Sequence, residues 1–237
     1  MARYKIAILI SGRGSNMAAL IEACKDDAYP ADVALVISNR PDALGLEIAR
    51  AADIPTRVIE HGDFDSREEF DAAMTAALAA AEVRLICLAG FMRLLSPEFC
   101  QRWRDSLINV HPSLLPAFKG LHVHERMLET GVHIAGCTVH FVRPEMDEGP
   151  ILVQAAVAIA ADDTPETLAA RILVQEHRIY PLAVRLIAEG RARTAGGMVA
   201  IETYELPDHL RGEAIYAVGR KVSVVTERYP VELYSQK

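Results

Sequence analysis

Short apolar runs that alternate with alanine-rich amphipathic stretches restrict the fold of this chain more than any other feature. Five such runs are predicted strands: residues 5–10, 33–38, 56–59, 84–89 and 107–111. The runs are almost continuously apolar, so each strand is expected to be covered on both faces. The pattern predicts an α/β fold with a doubly wound, mostly parallel sheet, in which ligands bind at the carboxyl ends of strands.

The second half of the chain carries longer elements. Residues 134–142 and 151–159 are two extended runs, and the eight residues between them favour antiparallel pairing or edge strands. A long helix is predicted over residues 165–189, with Thr164 as its N-cap. Pro181 lies inside that helix and is expected to kink it.

The C-terminal part is predicted to be rich in strands. Residues 193–206 are typical of a hairpin around Gly196 and Gly197, and residues 214–234 again contain many strand-forming types. The pattern assigns no chemical role to this tail.

Charge and the N-terminal sequence restrict the classes of partner. The 237 residues include 25 Lys and Arg against 32 Asp and Glu, a formal net charge of -7. Phosphate backbones and anionic membranes attract cationic surfaces, so this balance argues against nucleic acid or membrane partners and favours small substrates or other proteins. The first apolar run ends at Ser11, too early for a signal peptide or a membrane span, so a cytoplasmic location is expected.

The four cysteines are predicted to be free. They lie far apart without a CxxC pair, at Cys24, Cys87, Cys100 and Cys137. Buried thiols in a reducing cytoplasm are the favoured interpretation.

The first predicted strand runs directly into a loop of glycines and small polar residues, 11–16, which opens a helical stretch. Backbone N–H groups and the helix dipole at such a position hold a phosphate. The loop lacks the GK[ST] of a Walker loop and matches GxGxxG only at Gly12 and Gly14, so a single phosphate is favoured over a dinucleotide. A tight turn between strand and helix explains the glycines equally well.

Asn109 and His111 are candidate catalytic residues at the end of the fifth predicted strand. Strand alternation places them on one side, opposite Ile108 and Val110. An amide can donate to a developing oxyanion, and an imidazole can move a proton near neutral pH. A polar turn without a catalytic role is the alternative.

The acidic link between the two long strands offers a carboxylate to this pair. Asp147 can pair with His111 and favour the charged imidazole. Glu145 and Glu148 are equally eligible by composition, and a solvated turn residue is the alternative interpretation of Asp147.

Glu176 lies on the apolar face of the predicted long helix, in line with Ile172, Ile179 and Tyr180. Buried carboxylates are rarely left unpaired, so Glu176 is expected to meet an arginine, a backbone donor or a cationic ligand. A ligand site and a structural salt bridge are the two interpretations.

No metal site is expected. His122 and His124 begin a helical stretch, where a spacing of two residues turns their rings about 200° apart, away from a shared ion with Cys137 or His140. The sequence also lacks the HExxH pattern of zinc enzymes and the Gly-x-Ser-x-Gly elbow of serine hydrolases.

Eight motifs, in order along roughly residues 4–206, resemble the phosphoribosylglycinamide formyltransferases of purine synthesis. They are residues 10–16 (ISGRGSN), 38–39 (SN), 64–67 (FDSR), 88–93 (LAGFMR), 109–116 (NVHPSLLP), 120–122 (GLH), 147–150 (DEGP) and 175–181 (QEHRIYP). The resemblance implies a doubly wound sheet with a nucleotide-binding N-terminal half and a C-terminal half that helps to bind folate. It assigns residues 1–206 to this domain and leaves 207–237 as an extension of unknown role.

The resemblance implies transfer of a formyl group from 10-formyltetrahydrofolate to the amine of glycinamide ribonucleotide, without a metal, by a monomer or homodimer. It assigns Asn109 and a cationic His111 to the oxyanion, and Asp147 to sustaining that charge and relaying the proton of the amine through water. The binding residues it implies are Gly14, Ser15 and Asn16 for the phosphate, Glu176 for the glycyl amine and ribose region, and Arg67, Met92, Arg93 and Leu95 for the folate pocket.

Three alternative functions stay open. A formyltetrahydrofolate deformylase uses water as acceptor and usually has a regulatory domain before its catalytic half, whereas the first strand here begins near Tyr4. A methionyl-tRNA formyltransferase has a further RNA-binding domain, which the acidic balance disfavours. A protein that binds a nucleotide phosphate at residues 11–16 without catalysis leaves Asn109, His111 and Asp147 unexplained.

Overall fold

The computed structural model describes residues 3–202, 215–218 and 221–224. The strands in those ranges are β1 (Tyr4–Ile10), β2 (Ala31–Ser38), β3 (Thr56–Val58), β4 (Leu85–Leu88), β5 (Leu107–His111), β6 (Ile134–Phe141), β7 (Ile151–Ala158), β8 (Ala192–Ala195), β9 (Met198–Ile201), β10 (Ile215–Val218) and β11 (Lys221–Val224). The α-helices there are α1 (Ser15–Cys24), α2 (Gly45–Ala51), α3 (Arg67–Ala80), α4 (Pro97–Arg102), α5 (Val123–Thr130) and α6 (Pro165–Ala188).

Nine of the described strands form one sheet, in the order β11-β10-β7-β6-β5-β4-β1-β2-β3. Strands β3, β2, β1, β4 and β5 pair in parallel, which confirms the predicted doubly wound, mostly parallel α/β fold. Parallel neighbours end at the same edge of a sheet, so the loops after β1, β4 and β5 lie side by side.

Strands β1 and β4 are buried on both faces, as their apolar runs predicted. The prediction is wrong for the edge strand β3, where Arg57 and Val58 are exposed because, among the described residues, no strand covers its outer side. Ile6, Ile8 and Ile10 of β1 belong to one apolar core, which also contains residues of α1 and α6. Ala7 and Leu9 belong to a second core, with residues of α3 and α4. Helices therefore cover both faces of the sheet, and the loops at the strand ends are left for ligand binding.

The two long runs form the antiparallel pair β6 and β7, as predicted. Strand β6 also pairs with β5 in antiparallel fashion, and Asn109 lies opposite His140 in this register. Strand β10 pairs with β7, and β11 pairs with β10. These two short strands confirm part of the strand-rich tail, and the rest of the predicted 214–234 region lies outside the described residues.

Helix α6 begins at the predicted residue. The Thr164 side chain accepts a hydrogen bond from the backbone N–H of Thr167, whose side chain accepts one from the backbone of Thr164 in return. The helix continues through Pro181, and the kink expected there stays a prediction. Strands β8 and β9 form the predicted hairpin around Gly196 and Gly197, which both have positive φ.

The cysteines are free, as predicted: Cys87, Cys100 and Cys137 are buried, and Cys24 is half-buried. Burial raises the pKa of the Cys24 thiol to about 12 and that of the Cys100 thiol to about 11. These two thiols are therefore protonated and poorly nucleophilic at neutral pH.

Candidate active site

The predicted phosphate loop is a tight turn that requires glycine at position 14. Gly14 precedes α1 and has a φ of 75°, in the left-handed region. A Cβ on Gly14 would lie 2.8 Å from the Cα of Gly45, the first residue of α2. The turn thus accounts for Gly14 by itself. It also places Ser15 and Asn16 in the first turn of α1, where backbone N–H groups have no helical partners.

Asn16 and Glu176, which belong to different sequence motifs, meet in the folded chain. The Asn16 amide Nδ2 donates to Glu176 Oε2 at 2.7 Å. Glu176 is only 6% exposed, and burial raises the pKa of its carboxyl, while the hydrogen bond from Asn16 acts in the opposite direction. The sequence predicted an arginine, a backbone donor or a cationic ligand as the partner of Glu176. The observed partner is instead a neutral side-chain amide.

The other polar atom of the Asn16 side chain, Oδ1, is buried and has no hydrogen-bond partner among the described residues. Buried polar atoms are normally paired, so an unpaired acceptor beside a buried carboxylate marks a place where a ligand can donate. Asn16 and Glu176 together can therefore accept hydrogen bonds from an amine or from hydroxyl groups.

Asn109, His111 and Asp147 belong to one cluster at the end of β5. His111 Nδ1 lies 3.6 Å from Asp147 Oδ2, and both side chains are at most 10% exposed. His111 Nε2 lies 3.0 Å from the carbonyl oxygen of Phe118. Both ring nitrogens thus face acceptors, and only the charged imidazole has a hydrogen on each of them.

His140 completes the cluster. Its Nδ1 lies 3.1 Å from the carbonyl oxygen of Phe141, which assigns the ring hydrogen to Nδ1. Nε2 then accepts a hydrogen bond from Asn109 Nδ2 at 3.4 Å, and it lies 3.8 Å from Asp147 Oδ1. Burial lowers the pKa of His140 to about 4, so the ring is neutral at neutral pH. A neutral His140 therefore orients the Asn109 amide. The second N–H bond of that amide can then donate to another acceptor.

Backbone conformation and burial distinguish Asp147 from its acidic neighbours. Asp147 has a φ of 57°, a region that Asp adopts more readily than most residues. Its Oδ2 accepts a hydrogen bond from the backbone N–H of Gly120 at 2.9 Å. Glu145 and Glu148, which composition made equally eligible, are both exposed. Asp147 is therefore the carboxylate of this link that lies beside His111.

The residues predicted to bind folate lie on α3 and on the loop after β4. Met92 is 68% exposed, Arg93 is exposed and Leu95 is half-buried. Arg67, the first residue of α3, is also exposed. Helix α3 adjoins this loop, because Asp71 Oδ2 accepts a hydrogen bond from the backbone N–H of Ser96 at 2.7 Å.

Sequence reasoning missed the roles of His140 and Gly45. The antiparallel register of β5 and β6 could have revealed His140, because that register opposes it to Asn109. No local sequence pattern marks Gly45, because its role is to let the turn at Gly14 approach the start of α2 closely.

Within residues 3–202, 215–218 and 221–224, no group of three or more His, Cys, Asp or Glu side chains is arranged to hold a metal ion. His122 Nδ1 lies 3.6 Å from Glu125 Oε1, near the surface. In the same ranges, no helix is both long and apolar enough to cross a membrane.

The formyl transferase family matches residues 4–184, a range that contains all the predicted site residues. A phosphoribosylglycinamide formyltransferase of Escherichia coli is 43% identical over 202 residues, which cover 85% of this chain and 95% of that protein. The trifunctional purine biosynthetic protein adenosine-3 of Drosophila melanogaster is 53% identical over 192 residues, or 80% of this chain. The chain spans only 14% of the length of that relative.

Solved structures agree with these sequence matches. The crystal structure of glycinamide ribonucleotide transformylase 1 from Symbiobacterium toebii aligns with a TM-score of 0.82 and 48% sequence identity. The alignment covers 84% of this chain and 94% of that one. Because the family match extends over more than half of the chain and the fold agrees, the chain belongs to the formyl transferase family.

Proposed function

We propose that the chain transfers the formyl group of 10-formyltetrahydrofolate to the amine of glycinamide ribonucleotide, a step of purine biosynthesis. The observation that carries the proposal is the cluster of Asn109, His111, His140 and Asp147, which lies inside the family match. An oriented amide, an imidazole between two acceptors and a carboxylate are groups that stabilise an oxyanion and move a proton.

The chemistry needs no oxidant, reductant or further reactant. Transfer forms a bond between the amine nitrogen and the formyl carbon, and it breaks the bond from that carbon to N10 of the folate. The amine loses one proton and N10 gains one. Negative charge develops on the formyl oxygen between these two events, so donors at that oxygen accelerate the reaction.

Asn109 and His111 supply these donors. Asn109 uses one N–H bond on His140 and directs the second to the oxyanion. His111 turns Nδ1 toward Asp147, so Nε2 is the nitrogen that serves the oxyanion, and its hydrogen exchanges Phe118 O for the oxyanion when the substrates bind. Preorganised donors of this kind are each worth roughly a hundredfold or more in rate.

Asp147 supports the charge on His111 and accepts the proton of the amine through a water molecule. The distance of 3.6 Å between Asp147 Oδ2 and His111 Nδ1 suits an electrostatic pair. The backbone N–H of Gly120 donates to the same oxygen and so holds the carboxylate in place.

The phosphorylated amine binds at the start of α1. The backbone N–H groups of Gly14, Ser15 and Asn16 bind its phosphate, because free N–H groups and the helix dipole both favour an anion there. Glu176 binds the glycyl amine and ribose region, and the unpaired Oδ1 of Asn16 is a second acceptor beside it.

The folate binds along the loop after β4. Backbone groups of Arg93 and Leu95 bind the pterin, and Met92 lies beside that pocket. Arg67 offers a cation to the glutamate tail, for which its exposed position on α3 is suitable.

The remaining properties follow from the same proposal. The enzyme works on small molecules without a metal, binds neither nucleic acid nor membrane, and acts in the cytoplasm as a monomer or homodimer. Residues 1–206 form its catalytic domain, and residues 207–237 are an extension of unknown role.

The decisive assay follows consumption of 10-formyltetrahydrofolate with glycinamide ribonucleotide present and absent. We expect turnover only with the amine present, with one formylated amine made for each folate released. Formate release without the amine would instead favour a deformylase. Binding of the ribonucleotide without any turnover would favour a phosphate-binding protein that has no catalytic role.

A further inference from the structure

The loop that carries Arg93 and Leu95 is held at two points by side chains from other elements. Near its start, the backbone N–H of Met92 donates to Ser11 Oγ at 2.8 Å. At its end, the backbone N–H of Ser96 donates to the Asp71 carboxylate. The backbone of Arg93 and Leu95 therefore lies between two fixed points.

The Ser11 hydroxyl connects the loops that follow three neighbouring strands. A hydroxyl has one hydrogen and two acceptor positions. The hydrogen of Ser11 goes to Asn39 Oδ1 at 2.6 Å, just after β2, so its oxygen accepts from Met92, after β4. Ser11 is 8% exposed and Asn39 is 4% exposed, which makes replacement of either bond by water costly.

The loop after β4 that carries Arg93 and Leu95 is called the folate loop here. The Ser11 hydroxyl fixes a part of this loop that the backbone of Ser11 does not reach. The backbone N–H of Ser11 donates to Gly90 O at 3.2 Å, a bond that is independent of its side chain. Beyond Gly90, the contact of Met92 with the hydroxyl sets the path of the chain. In the described part of the protein, the backbone groups of Arg93 and Leu95 make no hydrogen bonds, which leaves them available to a ligand.

The phosphate loop, to which Ser11 itself belongs, has other supports. Gly14 packs against Gly45, and the backbone N–H of Gly45 donates to Gly12 O at 3.0 Å. These contacts come from α2 and do not involve the Ser11 side chain. Loss of the hydroxyl therefore releases the folate loop while the phosphate loop stays supported.

We propose that Ser11 is a positioning residue for the folate loop, which its hydroxyl holds from within the phosphate loop. The inference rests on the proposed function, because the roles of Arg93 and Leu95 belong to that function. The consequence is that a side chain located in the phosphate loop controls the affinity for the folate and not the affinity for the ribonucleotide.

Steady-state kinetics of Ser11→Ala tests this selectivity. We expect the KM for 10-formyltetrahydrofolate to rise about tenfold, with the KM for glycinamide ribonucleotide within about twofold of wild type. Ser11→Thr keeps the hydroxyl and should restore most of the folate affinity. Equal increases in both KM values, or no increase in either, would overturn the proposal.

Ser38→Ala is the matched control. Ser38 is fully buried, and its hydroxyl bonds the nearby backbone of Arg40, donating to Arg40 O at 2.7 Å. The substitution removes the same atoms at a similar depth without touching the folate loop, so both KM values should stay near those of wild type. A folate effect as large as that of Ser11→Ala would count against the proposal.

Amide hydrogen exchange at Met92, measured on folded proteins without substrates, tests the contact independently of catalysis. Faster exchange in Ser11→Ala than in wild type and Ser38→Ala supports the proposal. Unchanged exchange overturns it, and so does faster exchange with an unchanged KM for the folate. Absence of formyl transfer in the wild-type chain would contradict the proposed function, whereas exchange at Met92 would still report on the hydroxyl contact.

Discussion

The phosphate side and the folate side of the proposed site are built in different ways. On the phosphate side, buried side chains and close backbone packing define the surface: Asn16 bonds Glu176, and Gly14 packs against Gly45. On the folate side, Met92 is 68% exposed and the loop is held by backbone hydrogen bonds to buried side chains elsewhere. Buried side chains and close backbone packing together specify the first surface, and the path of the backbone specifies the second.

This difference implies different responses to substitution. On the phosphate side, a changed side chain alters shape or charge directly at the ligand. On the folate side, the exposed side chains of the loop after β4 tolerate substitution, and the buried anchors of that loop do not. The proposed catalytic cluster is expected to serve both substrates, so its loss should lower the rate rather than either affinity.

The largest effect is expected from His111→Ala. This variant loses the charged donor to the oxyanion, so kcat should fall about a hundredfold or more, with both KM values within about threefold of wild type. Steady-state kinetics measures the loss, and circular dichroism with thermal unfolding checks the fold. Unchanged turnover in a folded variant would remove His111 from the mechanism.

Gly14→Val is expected to act on the phosphate side alone. A side chain at this positive φ is strained and its Cβ would approach Gly45 Cα to 2.8 Å. Strain and overpacking together amount to about 3 kcal/mol, which corresponds to roughly a hundredfold lower kcat/KM for glycinamide ribonucleotide. Titration calorimetry with each substrate separates the two affinities.

Gly12→Ala is the control for Gly14→Val. A Cβ at Gly12 meets nothing within 4 Å, so this variant should bind both substrates nearly as wild type does. Equal loss of both ligands in Gly14→Val would indicate general misfolding and would break the distinction between the two sides.

The pH dependence of the two KM values is the next largest difference. Burial raises the pKa of Glu176, so its carboxylate becomes protonated at a higher pH than the ordinary value of 4.5. Above that raised pKa the charged acceptor is present, and below it the charge is lost. As the pH falls through it, the KM for glycinamide ribonucleotide should rise up to about tenfold. The KM for the folate should not show this rise as the pH falls.

Glu176→Gln tests the assignment of this pH effect. Glutamine keeps the shape and an acceptor oxygen but does not titrate, so the selective rise in the KM for the amine should disappear. The same acid profile in wild type and Glu176→Gln would assign the effect to another group.

The smallest effect is expected from Met92→Ala. The side chain is mostly exposed, so its removal should change the KM for the folate by no more than about twofold. Met92→Ala removes the side chain of Met92, whereas Ser11→Ala removes the hydroxyl that anchors its backbone N–H. Comparison of the two variants therefore separates these two contributions. A loss from Met92→Ala as large as that from Ser11→Ala would mean that the side chain itself binds the folate.

The sheet could be predicted from the sequence because its signals are local. The central parallel strands are short apolar runs, and their burial on both faces follows from those runs alone. The start of α6 is equally local, since Thr164 caps it and Pro165 follows. The register between β5 and β6, which brings His140 to Asn109, depends on pairing between distant segments and was not predicted.

The residue types of the candidate site could be predicted from the sequence, but their contacts could not. Strand alternation gave Asn109 and His111, whereas the choice of Asp147 over its acidic neighbours depends on the backbone of the link. Gly149 shows how tightly that link is packed, because a Cβ there would overlap the carbonyl oxygen of Phe141. The proposed phosphate and amine sites meet through the hydrogen bond between Asn16 and Glu176, which are 160 residues apart, so no local pattern predicts the pair.

The fate of an isotope-labelled formyl carbon tests the central claim most directly. The chain is mixed with labelled 10-formyltetrahydrofolate and saturating glycinamide ribonucleotide, and the products are followed by NMR. Direct attack by the amine predicts that the label appears in the new amide of the ribonucleotide, at the rate at which the folate is released. Label accumulating as free formate while the amine stays unmodified would contradict it.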